Sequence, residues 1–460
     1  MKSPVWFLLG LGLMLYTLST FHSGCAQIGM PTGGPKDSLP PVLVEVTPPD
    51  GSTLFNDRTI RFTFNEYLDV KDAFNNVILS PLPGKNPTVT FNRRTMVVRL
   101  RDTLKPNTTY SIQFGNAVTD YNEGNILKDF SYVFSTGNTI DSFKLSGNVL
   151  LAESGLPDTT LMVYLYSHLH DSAVRKLKPD YITRVRGGGA FQFSNLPQTP
   201  FRVYALKDAD GGKTYNQVME TFAFSDETVI PSYAPEALAL LAYQQEKQVE
   251  KPITTTTPKK NQVWKLQNNL SNNRLNLLET LLLDYSRPVI LNDTATLLLT
   301  DSTDKPVEVQ IEIDSTRTRL LANFNKQPGM AYQLILPENL VQDTLGNTLP
   351  ADTLQFTTFT ENDYGIVTLR FNNIPKEKNL VIQFVQNNKV SFSAPVTGNE
   401  WKNNLFPPGS YDIRILYDDN ANGVWDPGNY ELKQQPEKAI TLSLKLSVRA
   451  GWETDQEINL

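Results

Sequence analysis

The sequence is poor in the residues on which disulfide and most metal chemistry depend. It has one cysteine and three histidines among 460 residues. A single cysteine excludes an intramolecular disulfide, and three histidines leave few ligands for a zinc site. The net charge is −6 and there is no block of basic residues, so the chain lacks the clustered Lys and Arg that bind nucleic-acid phosphates. The sequence therefore predicts no nucleic-acid partner.

The N-terminus carries the pattern of an export signal. Lys2 precedes an apolar run from Val5 to Leu18. As a helix this run would extend about 21 Å, short of the ~30 Å hydrocarbon core of a membrane, which favours a cleaved signal peptide. The only cysteine, Cys25, follows Ser23 and Gly24 at once, and this stretch resembles a bacterial lipobox. The resemblance implies that residues 1–24 are a lipoprotein signal peptide and that Cys25 is lipidated; an ordinary signal peptide or an uncleaved anchor is the alternative.

Most of the remaining chain shows the two-residue period of β-strands. Apolar residues make up 40% of the sequence and aromatics 10%, enough for packed cores, and the length suggests about three domains. Residues 25–40 have no such period and are predicted to be a flexible tether. A segment at 235–249 could be a helix, or equally a strand leading into a linker. The alternating residues are Ile60, Phe62 and Phe64; Tyr110, Ile112 and Phe114; Val307, Val309, Ile311 and Ile313; Tyr411, Ile413, Ile415 and Tyr417; and Leu442, Leu444, Leu446 and Val448.

Two internal repeats define the domain order. The stretch NAVTDYNEGN from Asn116 is echoed by NLVQDTLGN from Asn339, and FQFSNLPQTPFRVYALKDAD around Asn195 resembles WKNNLFPPGSYDIRILYDDN around Asn404. The sequence therefore predicts an all-β fold of tandem β-sandwiches in an A–B–A′–B′ arrangement. The predicted units are A at 41–137, B at 141–232, a linker at 233–262, A′ at 263–361 and B′ at 363–460.

The units resemble known families. Unit A, with PPVLVEVTPPDGS at 40–52 and IRFTFNEYLD at 60–69, resembles the bacterial Ig-like domain of the SbsA S-layer type, and A′ is a divergent copy. The B units resemble the prealbumin-like sandwich found as a regulatory module beside carboxypeptidases. The whole chain, including TGGPKD at 32–37, resembles Ig-like-domain lipoproteins of Bacteroidetes-type bacteria. This resemblance implies a lipid-anchored protein of the cell envelope, in the outer membrane, facing the periplasm or the cell surface.

One loop of B′ has the residue types and spacing of a calcium site. Oxygen-bearing side chains alternate before and after Gly423, as in the first nine places of an EF-hand-like loop. A polar turn is the alternative, because Asn and Asp readily bond to their own backbone. The equivalent loop in B, residues 208–216, keeps two acids but adds Lys213, so calcium is less favoured there. The predicted ligands of a weak calcium site are Asp418, Asn420, Asn422 and Asp426.

No sequence motif indicates a catalytic centre, so the prediction is a non-enzymatic protein. The preferred function is a lipid-anchored structural or adhesive scaffold of the cell envelope. Its expected partners are the membrane, through the lipid, and an envelope protein or a surface polysaccharide. The alternative is a carbohydrate- or ligand-binding surface lipoprotein with a hydrolytic site. His168 and His170 are predicted at a solvated edge, and the mature tryptophans in cores and rims: Trp264, Trp401, Trp425 and Trp452.

Overall fold

The computed structural model describes residues 36–245, 265–292, 295–343 and 346–460. In this part of the chain there are 34 strands and two one-turn α-helices, α1 (Ala73–Asn76) and α2 (Ala173–Lys176). The prediction of an all-β fold of tandem sandwiches is confirmed. The chain divides into two compact units: unit 1 runs to Ile140, and unit 2 comprises residues 80–82 and 141–460. The predicted signal peptide, Cys25, residues 26–35 of the tether and residues 246–262 of the linker lie outside the described residues.

Unit 1 is the predicted A sandwich. Its sheets have the strand orders β1-β2-β6-β5, β4-β7-β9 and β3-β8. The two-residue period explains them, since Ile60, Phe62 and Phe64 of β2 point into the core while Thr59 and Arg61 are exposed. The strands are β1 (Leu43–Thr47), β2 (Thr59–Phe64), β3 (Leu68–Val70), β4 (Ile78–Ser80), β5 (Thr88–Asn92), β6 (Thr95–Arg99), β7 (Thr109–Gln113), β8 (Val118–Asp120) and β9 (Ser131–Ser135).

Unit 2 begins with the B sandwich, in which a three-stranded sheet of order β13-β10-β16 packs on a four-stranded sheet of order β12-β11-β14-β15. Strand β16 pairs in parallel with β10. The strands are β10 (Phe143–Leu151), β11 (Met162–Tyr166), β12 (Tyr181–Arg184), β13 (Ala190–Leu196), β14 (Arg202–Leu206), β15 (Phe222–Phe224) and β16 (Leu238–Ala242).

Strand β16 corrects the predicted boundary between B and the linker. It lies inside the segment 233–262, so the linker prediction is wrong for residues 238–242, and so is the helical alternative for them. The physical reason is that Leu240 and Ala242 are buried in the core of B. A parallel ladder with Gly147 to Leu151 supplies their backbone hydrogen bonds.

The A′ sandwich repeats the strand order of A. Its orders β17-β19-β24-β23, β18-β27-β25-β21-β22 and β20-β26 contain those of unit 1, with additional edge strands in the second sheet. The strands are β17 (Leu266–Asn268), β18 (Arg274–Leu275), β19 (Leu281–Tyr285), β20 (Val289–Leu291), β21 (Leu298–Asp301), β22 (Pro306–Val307), β23 (Val309–Ile313), β24 (Arg319–Phe324), β25 (Ala331–Leu336), β26 (Val341–Asp343) and β27 (Asp352–Thr358).

A hydrogen bond between a tyrosine hydroxyl and a backbone N–H recurs in both copies and shows why the A repeat is visible in the sequence. The hydroxyl of the buried Tyr110 accepts the N–H of Lys105 at 2.8 Å. The hydroxyl of Tyr332, 222 residues later, accepts the N–H of Gln327 at 2.9 Å. Both tyrosines therefore fill a core and also fix the loop that precedes their own strand.

The B′ sandwich has the topology of B. Its sheets have the orders β31-β28-β34 and β30-β29-β32-β33, and β34 pairs in parallel with β28 as β16 does with β10. The strands are β28 (Gly365–Asn372), β29 (Leu380–Gln386), β30 (Lys389–Pro395), β31 (Glu400–Phe406), β32 (Gly409–Tyr417), β33 (Lys438–Val448) and β34 (Glu453–Asn459).

Candidate functional site: two equivalent acidic loops

The predicted calcium loop follows β32 of B′ and is fixed by its first residue. Asp418 is buried, with 3% of its surface exposed. Its carboxylate accepts the backbone N–H of Asn422 at 3.2 Å and that of Gly423 at 2.8 Å. Gly423 adopts a positive φ of 82°, which glycine tolerates without strain. Asp418 therefore closes the turn as well as offering oxygens to its interior.

The structure brings the four predicted ligands together, but with amide nitrogens facing the last acid. Asp426 Oδ2 accepts Nδ2 of Asn420 at 2.6 Å and Nδ2 of Asn422 at 2.7 Å. The two amide oxygens accept backbone N–H groups, that of Asn422 and that of Val424. This is the polar-turn arrangement. To bind calcium, both side-chain amides would have to rotate so that their oxygens, and not their nitrogens, face Asp426. The calcium site in B′ therefore stays a prediction.

Glu437, which the sequence motif does not include, anchors the same loop. It is 6% exposed and accepts the N–H of Asp419 at 2.9 Å and that of Asp426 at 3.0 Å. Burial raises the pKa of the Glu437 carboxyl against the opposing effect of these N–H groups, and the charges of Asp426 and Asp418 raise it further. The only sequence signal for it is an acid immediately before the alternating strand β33.

The equivalent loop of B gathers three carboxylates. Asp208, Asp210 and Glu220 each place an oxygen within 4.8 Å of the others. Glu220 is buried, at 4% exposure, whereas Asp210 is exposed. Burial raises the pKa of Asp208, and the neighbouring Asp210 raises it further. The hydrogen bond from Asn216 lowers the pKa of Asp210, as does the N–H of Gly212. Three carboxylates thus meet in the loop for which the sequence favoured calcium less.

The two loops share one hydrogen-bond framework at an offset of 210 residues. Asp208 accepts the N–H of Lys213, as Asp418 accepts that of Gly423. In each loop one asparagine amide also donates to one aspartate, and these two residue types occupy opposite positions in B and B′. In B, Asn216 Nδ2 donates to Asp210 at 3.0 Å, whereas in B′ the amide is on Asn420 and the acid at Asp426.

A buried glutamate closes each loop in the same way. Glu220 accepts the N–H of Ala209 and of Asn216, both at 3.4 Å. These donors correspond, at the same offset of 210, to the two that Glu437 binds in B′. The sequence motif missed this glutamate in both copies, because Glu220 and Glu437 lie outside the loops that they close.

The other candidate residues lie apart from these loops. His168 and His170 are exposed. Trp401 packs among the aromatic rings of the B′ core, and Trp425 Nε1 donates to the carbonyl of Glu437 at 2.7 Å. Trp452 is 64% exposed. Trp264 and Cys25 lie outside the described residues, and among the residues described no helix is long and apolar enough to cross a membrane.

Comparison with solved structures finds a pilin subunit, the TIE protein of Bacillus anthracis and an S-layer protein, among others. The major pilin subunit BcpA of Bacillus cereus is 10% identical, with 69% of this chain and 99% of the pilin covered and a TM-score of 0.18. The Bacillus anthracis TIE protein is 10% identical, with 93% of this chain and 75% of the TIE chain covered and a TM-score of 0.18. The S-layer protein rSbsC is 12% identical, with 90% of this chain and 41% of rSbsC covered and a TM-score of 0.16.

Comparison at the level of sequence finds a similarity for the first part of the chain. No curated protein matches the sequence. Residues 37–136 match the family model of a bacterial Ig-like domain. The match coincides with the sandwich of unit 1 and with the predicted A unit at 41–137. The first sandwich of this protein is therefore similar to a bacterial Ig-like domain.

Proposed function

We propose that this protein is a non-enzymatic, lipid-anchored scaffold of the cell envelope that spaces or presents a binding surface. The observation that carries the proposal is the repeated order of four sandwiches, each with its own buried core. A 100-residue sandwich can be stable without disulfides at about 25 cal/mol per Å² of buried apolar surface. The bacterial Ig-like domain and the lipobox-like stretch before Cys25 support an envelope location.

Cys25→Ala is expected to release the protein from the membrane. Each buried CH₂ of an acyl chain contributes about 0.8 kcal/mol, so losing several chains removes the anchor. The measurement is partitioning between detergent and aqueous phases, combined with the intact mass of the mature N-terminus. Thr32→Ala, in the predicted tether, is the matched control and keeps the wild-type distribution. Detergent partitioning of Cys25→Ala equal to that of the wild type would contradict the lipid anchor.

A groove in unit 2 is the observation that favours the ligand-binding alternative. It has a volume of about 750 Å³, within the range of small-molecule sites. Its lining includes Glu279, Phe392, Lys402 and Tyr411, and Phe392 is 40% exposed. Binding of an envelope polysaccharide that is lost in Phe392→Ala would favour this alternative over the scaffold.

A weak calcium site in the B′ loop is a second proposal. Calcium at about 10⁻⁴–10⁻³ M, the range of extracellular modules, is expected to raise the melting temperature of the wild type but not that of Asp418→Ala. Asp419→Asn is the control, because this neighbouring carboxylate is exposed and faces Lys378 at 3.4 Å. If calcium shifts no variant, the site does not exist. A shift that survives Asp418→Ala but is lost in Asp210→Asn would place the cation in B instead.

A further inference from the structure

Tyr430 of B′ lies inside an aromatic pocket of B. It belongs to the turn that follows the acidic loop of B′ and is only 4% exposed. Its ring centroid is 5.1 Å from that of Phe222 and 5.2 Å from that of Phe224, both near-perpendicular. Tyr204 and Tyr215, at 5.9 and 6.2 Å, complete the pocket, again edge to face. All four surrounding rings belong to B, so the side chain of Tyr430 packs in B and not in the core of its own sandwich.

The hydroxyl of Tyr430 also finds its partners in B. It donates to the carbonyl of Asp171 at 2.9 Å and lies 3.0 Å from the hydroxyl of Tyr204. Lys433 Nζ sits 3.8 Å from the ring centroid of Tyr430 and 3.0 Å from the carboxylate of Asp171. The buried tyrosine is therefore satisfied only while B and B′ are in contact.

A second strip of contacts joins the edge of strand β33 to the turn after β10. The N–H of Ala439 donates to the carbonyl of Ala152 at 2.7 Å, and that of Thr441 to Ser154 at 2.9 Å. Thr441 Oγ1 donates to the same Ser154 carbonyl at 2.7 Å. A Cβ on Gly155 would lie 2.7 Å from the carbonyl oxygen of Ala439, so only glycine permits this approach. The turn of B thus covers part of an edge strand that would otherwise be open.

Polar and charged groups complete the contact. Gln435 Nε2 donates to the carbonyl of Phe224 at 3.1 Å and to Asp226 Oδ1 at 2.7 Å. Arg414 of B′ is 7% exposed; burial lowers its pKa, an effect that the charge of Glu153 in B partly offsets. A buried guanidinium depends on such compensating charge. We call these contacts, together with those of Tyr430, the B–B′ clasp.

We propose that the clasp makes B and B′ one cohesive body, which stays joined when the covalent connection through residues 246–264 is cut. If the sandwiches were independent, as the sequence predicts, only residues 246–264 would hold the part of the chain that ends with B to the part that contains A′ and B′. The contacts place this connection instead at the buried aromatic pocket around Tyr430, at the backbone hydrogen bonds of Ala439 and Thr441, and at the buried Arg414. These are the features that hold permanent interfaces together.

The experiment cuts the chain and asks whether the halves separate. Residues 254–257, four threonines, are replaced by the recognition sequence of a site-specific protease, and the cleaved protein is run on a native sizing column at micromolar concentration. The two fragments are expected to co-elute and to separate only in denaturant. Separation of folded fragments in buffer would overturn the proposal.

Variants of the clasp test which contacts carry it. Tyr430→Ala is expected to weaken the association of the cleaved halves about tenfold or more. Tyr121→Ala, which truncates a 69% exposed tyrosine of unit 1, is the matched control and leaves it unchanged. If Tyr430→Ala fails to fold, as judged by circular dichroism, the double variant Gln435→Ala/Thr441→Val takes its place. Wild-type association in the folded variant would overturn the role of the clasp.

Discussion

Replacing Gly147 by alanine is expected to lower the unfolding free energy of the B sandwich by more than about 3 kcal/mol. Gly147 lies on β10, between β13 and the parallel strand β16. A Cβ there would overlap the backbone carbonyl oxygen of Leu238 and lie 2.7 Å from Cζ of Phe191. The carbonyl belongs to β16 and Phe191 is 2% exposed, so neither can move without breaking the parallel ladder or the core.

Hydrogen–deuterium exchange followed by mass spectrometry measures this effect where it arises. Peptides from Phe143–Leu151 and Leu238–Ala242 are expected to lose protection in Gly147→Ala, while peptides of unit 1 keep theirs. Gly187→Ala is the matched control in the same sandwich, since an added Cβ there meets nothing within 4 Å. Wild-type protection of both peptides in Gly147→Ala would show that β16 is not held by this close approach.

The strands and the repeat were predictable because both depend on local patterns. A strand with one buried face must alternate. The predicted alternating residues occupy β2, β7, β22, β23, β32 and β33, except for Phe114, which directly follows β7. The repeat was detectable because particular side chains fix loops in both copies. Tyr110 and Tyr332 are examples, and so are Asp120 and Asp343, each of which accepts backbone N–H groups of the loop that follows it.

The rest was not predictable because its causes are distant in the chain. Strand β16 is a continuous apolar run, which fits a helix or a buried strand equally, and its partner lies 91 residues earlier at Gly147. Glu220 and Glu437 enter their loops from outside the motif. Tyr430 is a single aromatic in a polar turn. Nothing in its neighbourhood indicates that a pocket more than 200 residues upstream would receive it.

Phe62→Ala is expected to destabilise the sandwich of unit 1 by about 3–5 kcal/mol, the cost of a large cavity in a core. Phe62 on β2 is fully buried. Its ring makes edge-to-face contacts with Phe114 at 5.4 Å, Phe130 at 5.7 Å and Tyr132 at 5.4 Å. Alanine removes all three contacts at once. For a domain of this size the loss corresponds to a melting temperature lower by about 12 °C or more.

The chain offers an internal reference for this measurement. All four tryptophans that follow the predicted signal peptide lie at or beyond position 264, in the range of unit 2, so tryptophan fluorescence reports the unfolding of unit 2. Hydrogen–deuterium exchange in peptides of Thr59–Phe64 reports the unfolding of unit 1. Phe74→Ala, which truncates a 76% exposed ring of unit 1, is the matched control and should change stability by less than about 0.5 kcal/mol. Phe62→Ala is expected to lose protection in β2 while the tryptophan signal still melts at the wild-type temperature. If both signals shift together, units 1 and 2 unfold as one cooperative body, and the sandwich of unit 1 is not an independent module.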